Sequence, residues 1–158
     1  MSSFQLIGLA PTLFAPHFEL SDAALAERGM KRCIATESPG WPCRVSLEDA
    51  AAGEELLLLP FEHQPHPSPY RASGPIFVRR GAGQRLLAPG HVPPYVAQRT
   101  ISVRAYDSGH MMVDALVCEG AAVGAELSRL FDDGLIAYVH LHNAKQGCYS
   151  CRAERIDD

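Results

Sequence analysis

The residues best equipped for chemistry stand late in the chain, in His140-Leu141-His142-Asn143 and then Cys148 and Cys151. On an extended strand residues i and i+2 share a face, so His140 and His142 point the same way. A turn through 143–147 that closes symmetrically sets Cys148 opposite His142 on that face. Two imidazoles and a thiolate suit zinc, which makes His140, His142 and Cys148 a candidate metal set. Cys151, three positions beyond Cys148, faces away on a strand, and Tyr149-Ser150 lacks the glycine of a tight zinc knuckle. The same residues support a second chemistry, because a sulfur beside an imidazole is the arrangement of an activated nucleophile. Cys148 with His142, oriented by Asn143 or Asp107, fits it, and Cys43 is the other thiol to weigh. The plainer account of both is a buried histidine pair satisfied by backbone groups, beside a packed thiol.

A second group lies in Pro69-Tyr70-Arg71-Ala72-Ser73-Gly74-Pro75. A Ser-Gly step after a Tyr-Arg pair lets backbone N–H groups, the Ser73 hydroxyl, Tyr70 and the Arg71 guanidinium converge on one small anion. The segment carries neither of the glycine-rich phosphate-binding patterns, and a turn whose arginine pairs with a surface carboxylate is the simpler alternative. The hairpin 99–118 adds Arg104 and Asp114. A two-residue turn sets Asp114 opposite Val103, and a three-residue turn sets it opposite Arg104. In either register Asp114 shares a face with Met112, Leu116 and Cys118 and needs a partner, for which Arg104 is at hand. His63, after Glu62, is the best further imidazole.

The elements that must position these groups read as one α+β domain spanning 1–158, with a mainly antiparallel sheet and two principal helices. The helices are expected at about 21–28, where Ser21 is an N-cap, and at about 121–132, where Val123, Leu127, Leu130 and Phe131 form one apolar face. Strands are expected at 4–8, 31–35, 56–61, 76–79, 99–106, 111–118, 135–142 and 148–152, with a short helical turn at 46–49. Pro60, Pro65, Pro67, Pro69 and Pro75 predict a long surface loop over 60–75.

Composition narrows the function classes. The chain has 158 residues, 47% hydrophobic and 20% charged, which fits a folded domain. A net charge of −4 and the absence of any Lys/Arg run argue against nucleic acid. The apolar run Leu56–Leu59 stops at Pro60, far short of a membrane span. No basic residue precedes Arg28, so no export signal is read, and five irregularly spaced cysteines are expected to be reduced thiols in the cytoplasm. The sequence is silent on oligomeric state.

The segments Pro42-Cys43-Arg44, Glu62-His63-Gln64-Pro65, Tyr70 to Arg79, Arg104-Ala105-Tyr106-Asp107, Met112-Val113-Asp114-Ala115, His140 to Ala144 and Gly147-Cys148 carry a likeness. Through them the chain resembles the bacterial Domain of Unknown Function 1203 family over essentially its whole length. The resemblance brings no activity. It implies that Cys43, His63, Tyr70, Arg71, Ser73, Arg104, Asp107, Asp114, His140, His142, Asn143 and Cys148 lie in characteristic motifs, with Cys151 outside them. The leading expectation is a small-molecule enzyme or ligand-binding protein. Arg71 and Arg104 would hold an anionic group, and His142 and Cys148 would do the chemistry. The alternative is a non-catalytic interaction module that presents Trp41 and the proline-rich loop.

Overall fold

The computed structural model describes residues 3–157. Ten strands follow in chain order: β1 (Ser3–Ile7), β2 (Lys31–Ile34), β3 (Pro42–Cys43), β4 (Glu48–Asp49), β5 (Glu55–Gln64), β6 (Ala72–Arg79), β7 (Thr100–Tyr106), β8 (Met112–Glu119), β9 (Tyr138–Asn143) and β10 (Tyr149–Ile156). They form two five-stranded sheets, ordered β1-β10-β9-β7-β8 and β2-β5-β6-β3-β4. The first sheet is antiparallel throughout, and the second contains one parallel pair, β3 with β6. The α-helices are α1 (Asp22–Glu27), α2 (Pro94–Ala97) and α3 (Val123–Phe131).

The first sheet has one apolar face. Ile101, Val103, Ala105, Val139, Leu141, Cys151 and Ala153 alternate onto it and pack with Val123, Leu127, Leu130 and Phe131 of α3. The reverse face of the same strands carries Ser102, Arg104, Tyr138, His140, His142 and Arg152. A period of two requires this split: with the aliphatic residues committed to α3, the intervening polar ones must face the other way. Tyr138, His140 and His142 are nevertheless buried, the two histidines at 3% and 1% exposure. A buried polar face on a sheet whose other side is an ordinary core is the feature that locates the candidate site.

Three expectations about elements are corrected. Only α3, with nine residues and four of them buried, is a substantial helix. The segment at 22–27 has the expected cap, with Ser21 Oγ accepting from the Ala24 amide, but it buries only Leu25 and runs six residues. With one anchoring side chain, nothing rewards a second turn. The proline-rich stretch is no 60–75 loop either. β5 runs to Gln64, β6 begins at Ala72, and Pro60 stands opposite Pro75. The outer neighbours do not reach this point, since β2 pairs β5 only from Leu58 back and β3 meets β6 at Phe77. Two opposed prolines in an uncovered stretch therefore forfeit no ladder bond.

The expected helical turn at 46–49 is instead part of a β3–β4 hairpin whose tight turn spans 44–47, with Leu47 at φ 52°. Gly8 holds β1 against this turn, its amide donating to Arg85 O while Leu9 N donates to Arg44 O. A methyl group on Gly8 would strike the Val45 carbonyl and come within 3.3 Å of Arg85 O. Gly8→Ala is therefore expected to lower stability by about 1–3 kcal/mol. An unchanged urea midpoint would rule out that close approach as a constraint.

Candidate functional site

The turn between β9 and β10 sets the site's register. Tyr149 pairs with His142, Cys151 pairs with Leu141, and the ladder slips between them. The slip puts Tyr149 on the polar face with His140, His142 and Arg152, while Cys151 goes to the apolar core. Cys148 consequently lies beside Asn143, whose amide donates to Cys148 O at 2.9 Å, and not opposite His142 as a symmetric turn would have it.

His63 of β5 closes over the face. Its ring centroid lies 4.9 Å from that of His142 and 6.4 Å from that of His140. One nitrogen from each of the three rings lies within 4.8 Å of the others. Tyr149 stacks on His63 at 5.7 Å and meets His140 and His142 edge-on at 5.3 and 5.8 Å, so one phenol ring walls off all three imidazoles. Burial, followed by the positive charge of Arg152, pushes His140 down to about 3. Burial also outweighs the Gly147 carbonyl bond at His142 and brings it to about 4, with Arg104 adding to the fall. His63 is lowered by burial and then by Arg104. His140 and His142 are therefore neutral at pH 7, and His63 is shifted in the same direction.

Their hydrogen bonding is incomplete. His142 Nδ1 donates to Gly147 O at 3.0 Å, which leaves its Nε2 lone pair facing Arg104 Nη1 at 3.5 Å. Nδ1 of His63 and Nδ1 of His140 are buried without a partner among the described residues. Such atoms ask for an explanation, since most buried polar groups are paired.

The second half of the site is Arg44, which the sequence reading did not single out. It is 2% exposed. Its Nε donates to Tyr149 O at 2.8 Å, its Nη1 to Pro42 O at 2.7 Å and its Nη2 to Cys148 Sγ at 3.1 Å. Asn143 Nδ2 points at the same sulfur from 3.8 Å, while Asn143 Oδ1 is buried and has no partner among the described residues. Arg44 makes no carboxylate contact among the described residues. Neighbouring Arg99, by contrast, is held by Asp49 at 2.5 and 3.1 Å. Arg44 and Cys148 together line two cavities. One, of about 300 Å³, also borders Arg99, Asn143 and Phe77. The other, of about 420 Å³, is bounded by His63, Ser73, Gly74, Phe77 and Tyr149.

The structure brings Cys148, Asn143 and Ser73 to these cavities and joins His63 to His140 and His142. Other candidates lie elsewhere. Arg71 makes an exposed ion pair with Glu62 at 3.0 Å, which is the simpler alternative weighed for it. Tyr70 leans edge-on against Tyr106 at 6.1 Å. Cys43 is a core thiol, its sulfur accepting from Arg79 N at 3.3 Å. Asp107 is a turn residue whose Oδ1 accepts from Gly109 N and Met111 N, both at 2.9 Å. That turn, with a slip between Ala105 and Tyr106, pairs Asp114 with Ala105, a register that neither simple turn gives. Asp114 is exposed and bonds the Ala115 amide, so it is neither buried nor paired with Arg104.

Residues 40–155 match the family described as a protein of unknown function, DUF1203, and the chain belongs to that family. No curated protein and no solved structure matches it. Among the described residues no helix is long and apolar enough to cross a membrane.

Proposed function

We propose that the protein binds a small anionic molecule in the cavity beside Arg44 and presents Cys148 to it as a nucleophile. One observation carries this reading: a guanidinium buried to 2% exposure, without a carboxylate partner among the described residues, touches a cysteine sulfur at a cavity wall. A buried charge without a counter-ion is unfavourable by several kcal/mol, so an anion in the cavity is its natural complement. Three of its five N–H groups are committed, and two remain for a ligand. The volume of about 420 Å³ suits a metabolite-sized ligand. Phe77 and Tyr149 supply apolar walls, and the Ser73 hydroxyl adds a polar group. In this reading Arg44 takes the anion-holding part expected of Arg71 and Arg104. Trp41 packs against Phe77 at 5.2 Å, and the proline segment is strand at 60–64 and 72–75 with a loop between them at 65–71.

The test is a thermal-shift screen of small carboxylates and phosphates on the wild type and on Gly74→Phe. An added Cβ at Gly74 meets nothing within 4 Å, so there is room to begin a side chain at this wall of the cavity. A true ligand at 100 times its Kd is expected to raise the wild-type Tm by about 5 °C or more. Gly74→Phe should fold and show no shift. Equal shifts in both proteins, or none with any anion, would count against the proposal.

A further inference from the structure

We infer that His63, His140 and His142 bind one divalent transition-metal ion of the zinc type. This goes beyond the anion pocket, because neither Arg44 nor Cys148 takes part. Three ring nitrogens already lie within 4.8 Å of one another. Around a tetrahedral zinc, with bonds of about 2.0–2.1 Å, they would stand about 3.3 Å apart. Small side-chain rotations cover the difference, and His63 is the ring free to make them, since it is only half-buried.

Two further observations favour a metal over a packed aromatic cluster. The His142 Nδ1 bond to Gly147 O is the outer hydrogen bond that metal-ligating histidines use to fix their tautomer, and it leaves Nε2 as the donor atom. His140, at 3% exposure, keeps a buried nitrogen without a partner among the described residues, as does His63. The donor set chooses the ion class: three nitrogens and no carboxylate suit zinc, cobalt or nickel and disfavour magnesium and calcium. Three protein ligands leave a fourth position open. Tyr149 closes one side of the cluster, and a cavity of about 190 Å³ reaches His63 and His140 past Arg152. On metal binding Arg104 gives up its contact with His142 Nε2 and turns to the fourth ligand, where its positive charge selects an anionic oxygen.

The experiment uses full-length protein without a histidine tag, stripped by chelator and titrated separately with Zn²⁺ and Co²⁺. One equivalent of each is expected to bind, and Co²⁺ should give the intense visible bands of a four- or five-coordinate nitrogen site. His63→Ala, at the half-buried position, should fold and lose affinity by about 100-fold or more. His142→Gln, checked for folding by circular dichroism, should do the same. Cys148→Ser should keep the metal even though it removes the proposed nucleophile, so failure of the anion-pocket reading leaves this result untouched. Substoichiometric uptake by the wild type would overturn the inference. So would unchanged affinity in His63→Ala, or loss of the metal in Cys148→Ser.

Discussion

Tyr149→Ala is expected to destabilise the protein by about 3–5 kcal/mol, the usual range for deleting a large buried aromatic ring. Tyr149 is 4% exposed and touches both halves of the molecule. Its ring meets Phe61 at 6.1 Å and His63 at 5.7 Å on β5, and His140 and His142 on β9. Its carbonyl accepts from Arg44 Nε, which ties the β3 turn to β10. Removing the ring opens a void where the sheets meet, and neither neighbouring backbone is free to collapse into it. Equilibrium urea unfolding measures the loss, and a change below about 1 kcal/mol would mean that the sheets are held together elsewhere.

Between pH 7 and pH 5 the protein, kept in chelator, is expected to lose about 4 kcal/mol of stability through His140 and His142. Their folded values, about 3 and about 4, lie below the ordinary histidine value of 6.5. A depressed folded value means that the unfolded chain takes up protons first. The stabilisation is therefore complete above pH 6.5 and disappears as pH falls toward 4 and then 3. His63 shifts in the same direction and adds to the slope. Carboxylates titrate mostly below this window, so pH 5–7 isolates the imidazoles. Denaturant midpoints at the two pH values check the prediction, with a His140→Gln/His142→Gln variant that should flatten the dependence. A wild type equally stable at both would show that these rings are solvated.

Much of the scaffold was legible because alternation and helical spacing are local signals. The strands read near 99–106 and 135–142 correspond to β7 and β9, and Val123, Leu127, Leu130 and Phe131 announced the helix that covers their apolar face. The same alternation placed His140 and His142 on one face. Registers were less legible, because bulges and side-chain-capped turns displace a strand by a residue without leaving a mark in its pattern. Asp107 accepting from two amides of its own turn is what moved Asp114 away from Arg104. Longer-range features could not be read at all. Arg44 reaches Cys148 across 104 positions, and its buried setting depends on three acceptors that only the fold assembles. His63 was noticed, but its prolines disguised the strand that brings it to the other two histidines.

The central claim is that Arg44 makes the surroundings of Cys148 an anion site. Competitive alkylation with iodoacetate, which is anionic, and iodoacetamide, which is neutral, tests this directly. Cys33 and Cys118, partly exposed like Cys148, serve as internal references in the same chain. Cys148 is expected to be the fastest of the three, and to favour iodoacetate by about tenfold more than the references do, as a local positive field would produce. The same reagent preference at all three thiols, or a Cys148 no faster than Cys33, would contradict the account.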